Sequence, residues 1–223
     1  MFPLSHPDRR GLSLIEVLVV IAILAVLTSM IVPVIGMVRT ATKRFACSHN
    51  LGQIGAVLMI YANDHDELVP ASRLWGATDP ARSSAWFHRL PPYLDQAKVP
   101  KGNTIFQCPG FHYTGPRAFA SEVPKSYKMN AAIDSDGNRY RPFALGGVSD
   151  ASQLVLFVDG NTGTGMGQWG HAPPSAVDDS RHRGFVNVLY ADGHTTSTVK
   201  TPPSRIWTPA MKWRSDDWLT PGR

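Results

Sequence analysis

The sequence predicts an α+β protein: a long N-terminal helix whose first half crosses a membrane and whose second half packs on a C-terminal antiparallel β-sheet domain. Three observations predict it. Residues 12–38 form a nearly unbroken apolar run. Cys47, Leu51, Ile54, Leu58 and Tyr61 then follow at steps of four, three, four and three, the period of one helix face. Near the C-terminus the alternating segment FVNVLY leads into Asp192-Gly193 and on to HTTSTV, the pattern of two strands joined by a tight turn.

The apolar run holds 27 residues and one formal charge, Glu16. As a helix it spans about 40 Å at ~1.5 Å per residue, enough for a hydrocarbon core of about 30 Å. Its 5 Leu, 5 Ile and 7 Val favour insertion by at most about 5–10 kcal/mol. A buried carboxylate opposes that by only about 3 kcal/mol. The run therefore inserts despite Glu16, and two readings of the acid stand side by side. It sits wet at headgroup level, or it meets a cation within the membrane. The run is too long for the apolar core of a signal peptide, and no small-residue cleavage site follows it, so a retained helix is expected. Arg9 and Arg10 precede the span and Arg39, Lys43 and Arg44 follow it, so charge alone does not orient it. The short leader and large C-terminal region favour a cytoplasmic N-terminus.

Beyond Val38 the helix turns amphipathic and is expected to end near Ala62, where Asn63, Asp64 and Asp66 follow. Its apolar stripe reads as core packing. In the remainder, TIFQC (104–108), SYKMN (126–130), LVLFVD (154–159), FVNVLYAD (185–192) and HTTSTV (194–199) read as strands. WFHRLPPYL (86–94) reads as a short helix ending at its proline pair. The tail tryptophans Trp207, Trp213 and Trp218 are expected to pack back onto the domain.

With 43% hydrophobic and 17% charged residues, the chain is expected to fold. The formal charge of +5 is scattered, without a basic tract interleaved with aromatics, so no nucleic-acid partner is expected. Phosphate-loop, zinc-protease and nucleophile-elbow motifs are absent from the sequence. The two cysteines, Cys47 and Cys108, are not in C-x-x-C spacing, so they read as a candidate disulfide or as two buried thiols. A bridge closing that loop would stabilise by about 4 kcal/mol on the loop-entropy model.

The segment RRGLSLIEVLVVIAILAVL resembles the leader and helix start of type IV pilin-like proteins, including the pseudopilins of type II secretion. The resemblance implies a leader of residues 1–11, a transmembrane helix over 12–38, its amphipathic continuation over 39–62 and an extracytoplasmic domain over 63–223. It implies that prepilin peptidase cleaves the Gly11–Leu12 bond and methylates Leu12, where the family most often has phenylalanine. Pro33 matches the family's helix-kinking proline. Cleavage would free an α-amine with a reference pKa of about 7.7–8.0. At ~4 Å and an effective dielectric near 20, Glu16 would attract that cation by about 4 kcal/mol. One helical turn brings the chain's own terminus within reach. The resemblance implies instead the terminus of the next subunit, making Glu16 an assembly determinant. Implied partners are other pilin-like subunits, an inner-membrane assembly platform and the membrane itself. The implied location is the bacterial inner membrane, single-pass, with the C-terminal domain in the periplasm, and no catalytic role is implied.

His182, nine residues, then Asp192-Gly193 match the H-x9-D-G segment of a large prepilin-type subgroup. Adjacent strands could gather Asp159, His182, Asp192 and His194, either as a divalent-metal cluster or as a structural pair in which His182 pins the Asp192 turn. DSDGN (134–138) carries part of a calcium-loop pattern but lacks its glutamate. No cofactor is otherwise expected. The alternative to a filament subunit is a membrane-tethered module that binds a ligand or metal without polymerising.

Overall fold

The structure is a computed structural model that describes residues 13–73, 83–94, 105–111, 125–131, 133–136, 139–140, 142–160, 171–172 and 177–199. Gly11, Leu12 and the three tail tryptophans lie outside them. The chain divides into two compact units, residues 1–39 and 40–223.

Helix α1 runs from Leu14 to Asp64 without interruption and contains Pro33. In the first unit every described residue, Ser13 to Arg39, is exposed. Its large apolar side chains, from Leu14 to Val38, are 43–80% exposed. The Thr28 and Ser29 hydroxyls donate back to the Leu24 and Val26 carbonyls, each at 2.7 Å. Polar groups in this stretch thus find partners on their own helix, as a low-dielectric surrounding demands. Among the described residues α1 is the one helix long and apolar enough to cross a membrane.

In the second unit α1 buries Cys47, Leu51, Ile54, Gly55, Val57, Leu58, Tyr61 and Ala62. Fully burying a Leu or Ile is worth roughly 1.5–3 kcal/mol, so this face anchors the core. A Cβ on Gly55 would stand 2.8 Å from Leu189 Cδ1, so the glycine sets how closely helix and sheet approach. The helix ends two residues beyond Ala62. Asp66 and Glu67 then take positive φ, 52° and 64°, and the Glu67 N–H closes on the Ala62 carbonyl at 2.8 Å.

Seven strands follow: β1 (Tyr127–Asn130), β2 (Ser135–Asp136), β3 (Arg139–Tyr140), β4 (Val155–Asp159), β5 (His171–Ala172), β6 (Phe185–Tyr190) and β7 (Thr195–Val199). The main sheet has the order β5-β1-β4-β6-β7. Four of its strands, β1, β4, β6 and β7, pair antiparallel. The fifth departs from the wholly antiparallel expectation, since the two-residue β5 joins the edge parallel to β1. β2 and β3 form a separate hairpin.

Central β4 is buried along its whole length. On the helix side Leu156 and Phe157, with Leu154 just before the strand, join a core with Trp86, Phe106, Tyr127, Met129 and Leu189. On the other side Val155 and Val158 pack with Val177, Val186, Val188 and Tyr190. Two successive residues, Leu156 and Phe157, therefore share a face. The β4–β6 register shifts between Val155 and Phe157 at this point, as a β-bulge requires. Helix α2 (Trp86–Arg89) drives Trp86 into the first core, edge-on to Phe157 at 5.0 Å between centroids. Pro91–Leu94 continue as a 3-10 turn.

Two expectations are corrected, and a third segment finds a structural use. Ile105–Gln107 form a turn rather than the TIFQC strand. The Cys108 N–H goes to Ser126 Oγ at 2.7 Å, which leaves no ladder bond for it to make. The final hairpin turns at Asp192-Gly193, but among the described non-glycine residues only Asp66, Glu67 and Arg183 have positive φ. A type I′ turn, which the Asp192-Gly193 pair signals in sequence, is thus excluded. The Gly193 N–H closes on Tyr190 O at 3.0 Å and Tyr190 N–H on His194 O at 3.0 Å, with Gly193 at φ 89°. This is a three-residue loop with a glycine bulge. Finally, Asp134 of the calcium-like DSDGN accepts from Ser72 N–H at 2.6 Å and Ser72 Oγ–H at 2.8 Å, so its carboxylate ties a loop.

Candidate functional site

Two places carry chemistry. The first is the start of α1. Ser13 Oγ accepts weakly from the Ile15 N–H at 3.4 Å, and Glu16 Oε2 accepts from the Ser13 N–H at 2.8 Å. The segment Ser13-Leu14-Ile15-Glu16 thus has S-x-x-E capping-box spacing and the return bond of such a box. Glu16 satisfies one of the amide donors that a helix start leaves open. That spacing is legible in the sequence, yet a search for cationic partners of Glu16 passes over it, because the partner is a backbone amide. Pro33 lies seventeen residues further along the same helix, among exposed apolar residues.

The second place is buried where α1 meets the sheet within the second unit. Cys47 on α1 and Cys108 in its turn are joined by a disulfide with Cα atoms 4.9 Å apart. His182, in the 3-10 turn Ser180–His182, places Nε2 3.3 Å from Cys108 Sγ. The same nitrogen is 3.6 Å from Asp159 Oδ2. One sulfur from each cysteine, one oxygen of Asp159 and one nitrogen of His182 all lie within 4.8 Å of one another, and all four residues are buried.

The surroundings fix Asp159 firmly. Its Oδ2 accepts from the Asn187 backbone N–H at 2.8 Å and from Asn187 Nδ2 at 2.9 Å. Its Oδ1 accepts no hydrogen bond among the described residues and faces Arg181 Nη2 at 3.7 Å. Arg181 is held in turn by Asp178 at 2.9 Å and donates to the carbonyls of Ser126 and Gly160. Burial pushes the Asp159 carboxyl up to about 6, against the opposing pull of Arg181 and the Asn187 hydrogen bonds. Burial likewise pushes His182 down to about 4, with the Arg181 charge adding to it. At neutral pH His182 is therefore an uncharged imidazole, and its contact with Asp159 is not an ion pair.

The foursome expected from sequence, Asp159, His182, Asp192 and His194, divides into two pairs. Asp159 meets His182, whereas Asp192 Oδ1 accepts from the His194 N–H at 3.1 Å and pairs with the His194 ring. Strand β6 separates the pairs, about 20 Å of extended chain at ~3.3 Å per residue. Asp192 accordingly shapes its turn without His182. The partners that His182 does have, Cys108 and Asp159, come from elements that the H-x9-D-G segment does not include. Arg181, Asp178 and Asn187 also escape sequence reading. The signal for Asn187 was present: a polar residue on the inward face of an otherwise apolar alternation.

Residues 7–32 match the prokaryotic N-terminal methylation motif. No curated protein and no solved structure matches the chain significantly. The motif is consistent with a type IV pilin-like or pseudopilin subunit, and it covers the first of the two places described here.

Proposed function

We propose that this chain is a prepilin-type subunit. Prepilin peptidase removes residues 1–11 and methylates Leu12, and the mature chain assembles through α1 into a type II secretion pseudopilus or a type IV pilus-like filament. The match of residues 7–32 to the methylation motif carries this reading. The exposed apolar surface from Leu14 to Val38 supports it, because a contiguous apolar surface of that size needs lipid or another helix against it. The Cys47–Cys108 bond supports a periplasmic second unit, since structural disulfides persist in oxidising compartments. In this reading the protein sits single-pass in the inner membrane and engages the assembly platform there, with a structural rather than a catalytic role.

Glu16 then has two tasks. It caps the Ser13 amide on its own helix, and after cleavage it faces a new ammonium one residue before Ser13. A carboxylate has two oxygens and about four lone-pair sites, so one intramolecular cap leaves capacity for the amine of a neighbouring subunit. Pro33 removes one backbone donor from the span, freeing a carbonyl that adjoining helices can satisfy.

Mass spectrometry of the native N-terminus tests the processing: a mature chain beginning at N-methylated Leu12 is expected. An intact leader in cells that contain the peptidase would overturn the reading. Glu16→Ala tests assembly. The expected result is normal membrane insertion with loss of subunit crosslinking. Unchanged crosslinking would reassign Glu16 to capping alone.

A further inference from the structure

The mutual exclusion of two chemistries at one buried point goes beyond filament assembly. Two sulfurs, an imidazole nitrogen and a carboxylate oxygen within 4.8 Å of one another are the donor types of a four-coordinate zinc site. With metal–ligand bonds of about 2.0–2.3 Å, neighbouring ligand atoms in a tetrahedron stand roughly 3.3–3.8 Å apart. The observed Cys108 Sγ to His182 Nε2 distance is 3.3 Å, and His182 Nε2 to Asp159 Oδ2 is 3.6 Å. One edge of the tetrahedron is therefore already set, and the Asp159 carboxylate stands beside it. The change required is separation of the two sulfurs from bonding distance to about 3.8 Å.

A second, independent observation points the same way. Asp159 Oδ1 is a buried oxygen without a hydrogen-bond partner among the described residues, and such an atom is costly unless something uses it. Asn187 holds the other Asp159 oxygen, as outer-shell groups do for metal-binding carboxylates.

We propose that Cys47, Cys108, Asp159 and His182 form, in the dithiol state of this chain, a buried site for one zinc-like divalent ion, and that disulfide formation and metal binding exclude each other. An external dithiol of the thiol–disulfide oxidoreductase class supplies the reduction. It loses two electrons and two protons and becomes a disulfide. The Cys47–Cys108 bond breaks, and each sulfur gains one electron and one proton. The ion then displaces both protons and forms two metal–sulfur bonds. The newly made chain, before oxidation, reaches the same dithiol state without a reductant. The site thereby holds helix and sheet together in either state, by a covalent bond or by a metal.

The test uses the full chain in detergent micelles, once disulfide-bonded and once reduced and freed of reductant without oxygen, with Co2+ as probe and Zn2+ as competitor. The reduced chain is expected to bind one equivalent of Co2+ with thiolate charge-transfer and tetrahedral d–d bands, and to lose both to Zn2+. The oxidised chain is expected to give neither band. His182→Ala and Asp159→Asn should each weaken binding at least about tenfold. Zn2+ should protect both cysteines of the reduced wild type from alkylation, a readout that does not depend on how the variants fold. Equal Co2+ binding by oxidised and reduced chains, or reduced cysteines that alkylate at the same rate with and without Zn2+, would overturn the proposal. Undiminished affinity in a folded His182→Ala would do the same.

Discussion

The two halves of α1 both carry apolar residues, and these meet opposite fates. From Leu14 to Val38 the apolar side chains stay exposed, 43–80%. From Cys47 to Tyr61 those on one face vanish into a core, while Ile60 on the other side stays 54% exposed. The difference lies in periodicity. The first half is apolar on every side, so no single partner face within one chain could cover it, and lipid or several helices must. The second half restricts its apolar residues to one stripe, which one sheet face covers. Stability of the globular unit and retention in the membrane should therefore be separable by substitution along one continuous helix.

The strongest attack on that separation is Trp86→Ala, which removes the largest fully buried side chain among the described residues. It should cost the globular unit about 3–5 kcal/mol, read as a lower thermal midpoint, and leave extraction from membranes unchanged. Release of the protein from membranes would break the comparison. The converse is Val26→Arg in the exposed half. It should weaken insertion by about 2.5–3.5 kcal/mol, read as increased extraction, with the thermal midpoint of the globular unit unmoved.

Proton linkage sharpens the comparison within the globular unit, using the disulfide-bonded chain. His182 titrates near 4 when folded and near 6.5 when unfolded. The unfolded state thus binds more protons between those values, and stability falls as pH drops through that window. Asp159 does the reverse. Its folded value near 6 exceeds the unfolded value of about 3.9, so stability rises as pH drops from 6 toward 4. The two slopes oppose, and the wild type should be nearly flat between pH 4 and 6. Asp159→Asn should expose the histidine slope, at most about 1.4 kcal/mol per pH unit. An equally flat profile in Asp159→Asn, followed by denaturant titration, would refute this account. The smallest effect belongs to the helix start. Ser13→Ala should cost about 1 kcal/mol of local stability, seen as faster amide exchange over Leu14–Val17, with the core amides unaffected.

Much of this was legible in the sequence. The spacing of Cys47, Leu51, Ile54, Leu58 and Tyr61 marks the buried helix face, and all five are buried. Four of the five strands of the main sheet lie within segments read as strands, because their β-branched and aromatic runs are bounded by turn residues. The TIFQC segment misled because strand-like composition says nothing about where backbone donors go, and Cys108 gives its donor to a serine hydroxyl. The second site was half legible. Asp159 and His182 stand 3.6 Å apart, while Asp192 and His194 pair with each other at the far end of β6. A strand carries its two ends apart, while helix and turn bring Cys47 and Cys108 from far away. Long-range proximity of this kind depends on register, which no local pattern encodes.

The irregularity in β4 decides which atoms share that register. Strict alternation from Val155 would send every second residue, Asp159 included, toward the valine side. One surplus residue turns the end of the strand over and delivers the carboxylate to the sulfurs. Lengthening β4 by a single residue between Phe157 and Val158 would exile the acid and present Val158 to the cysteines instead. The chemical character of the interior is thus written in chain length as much as in residue type, and an indel there would do what no point substitution at the site could.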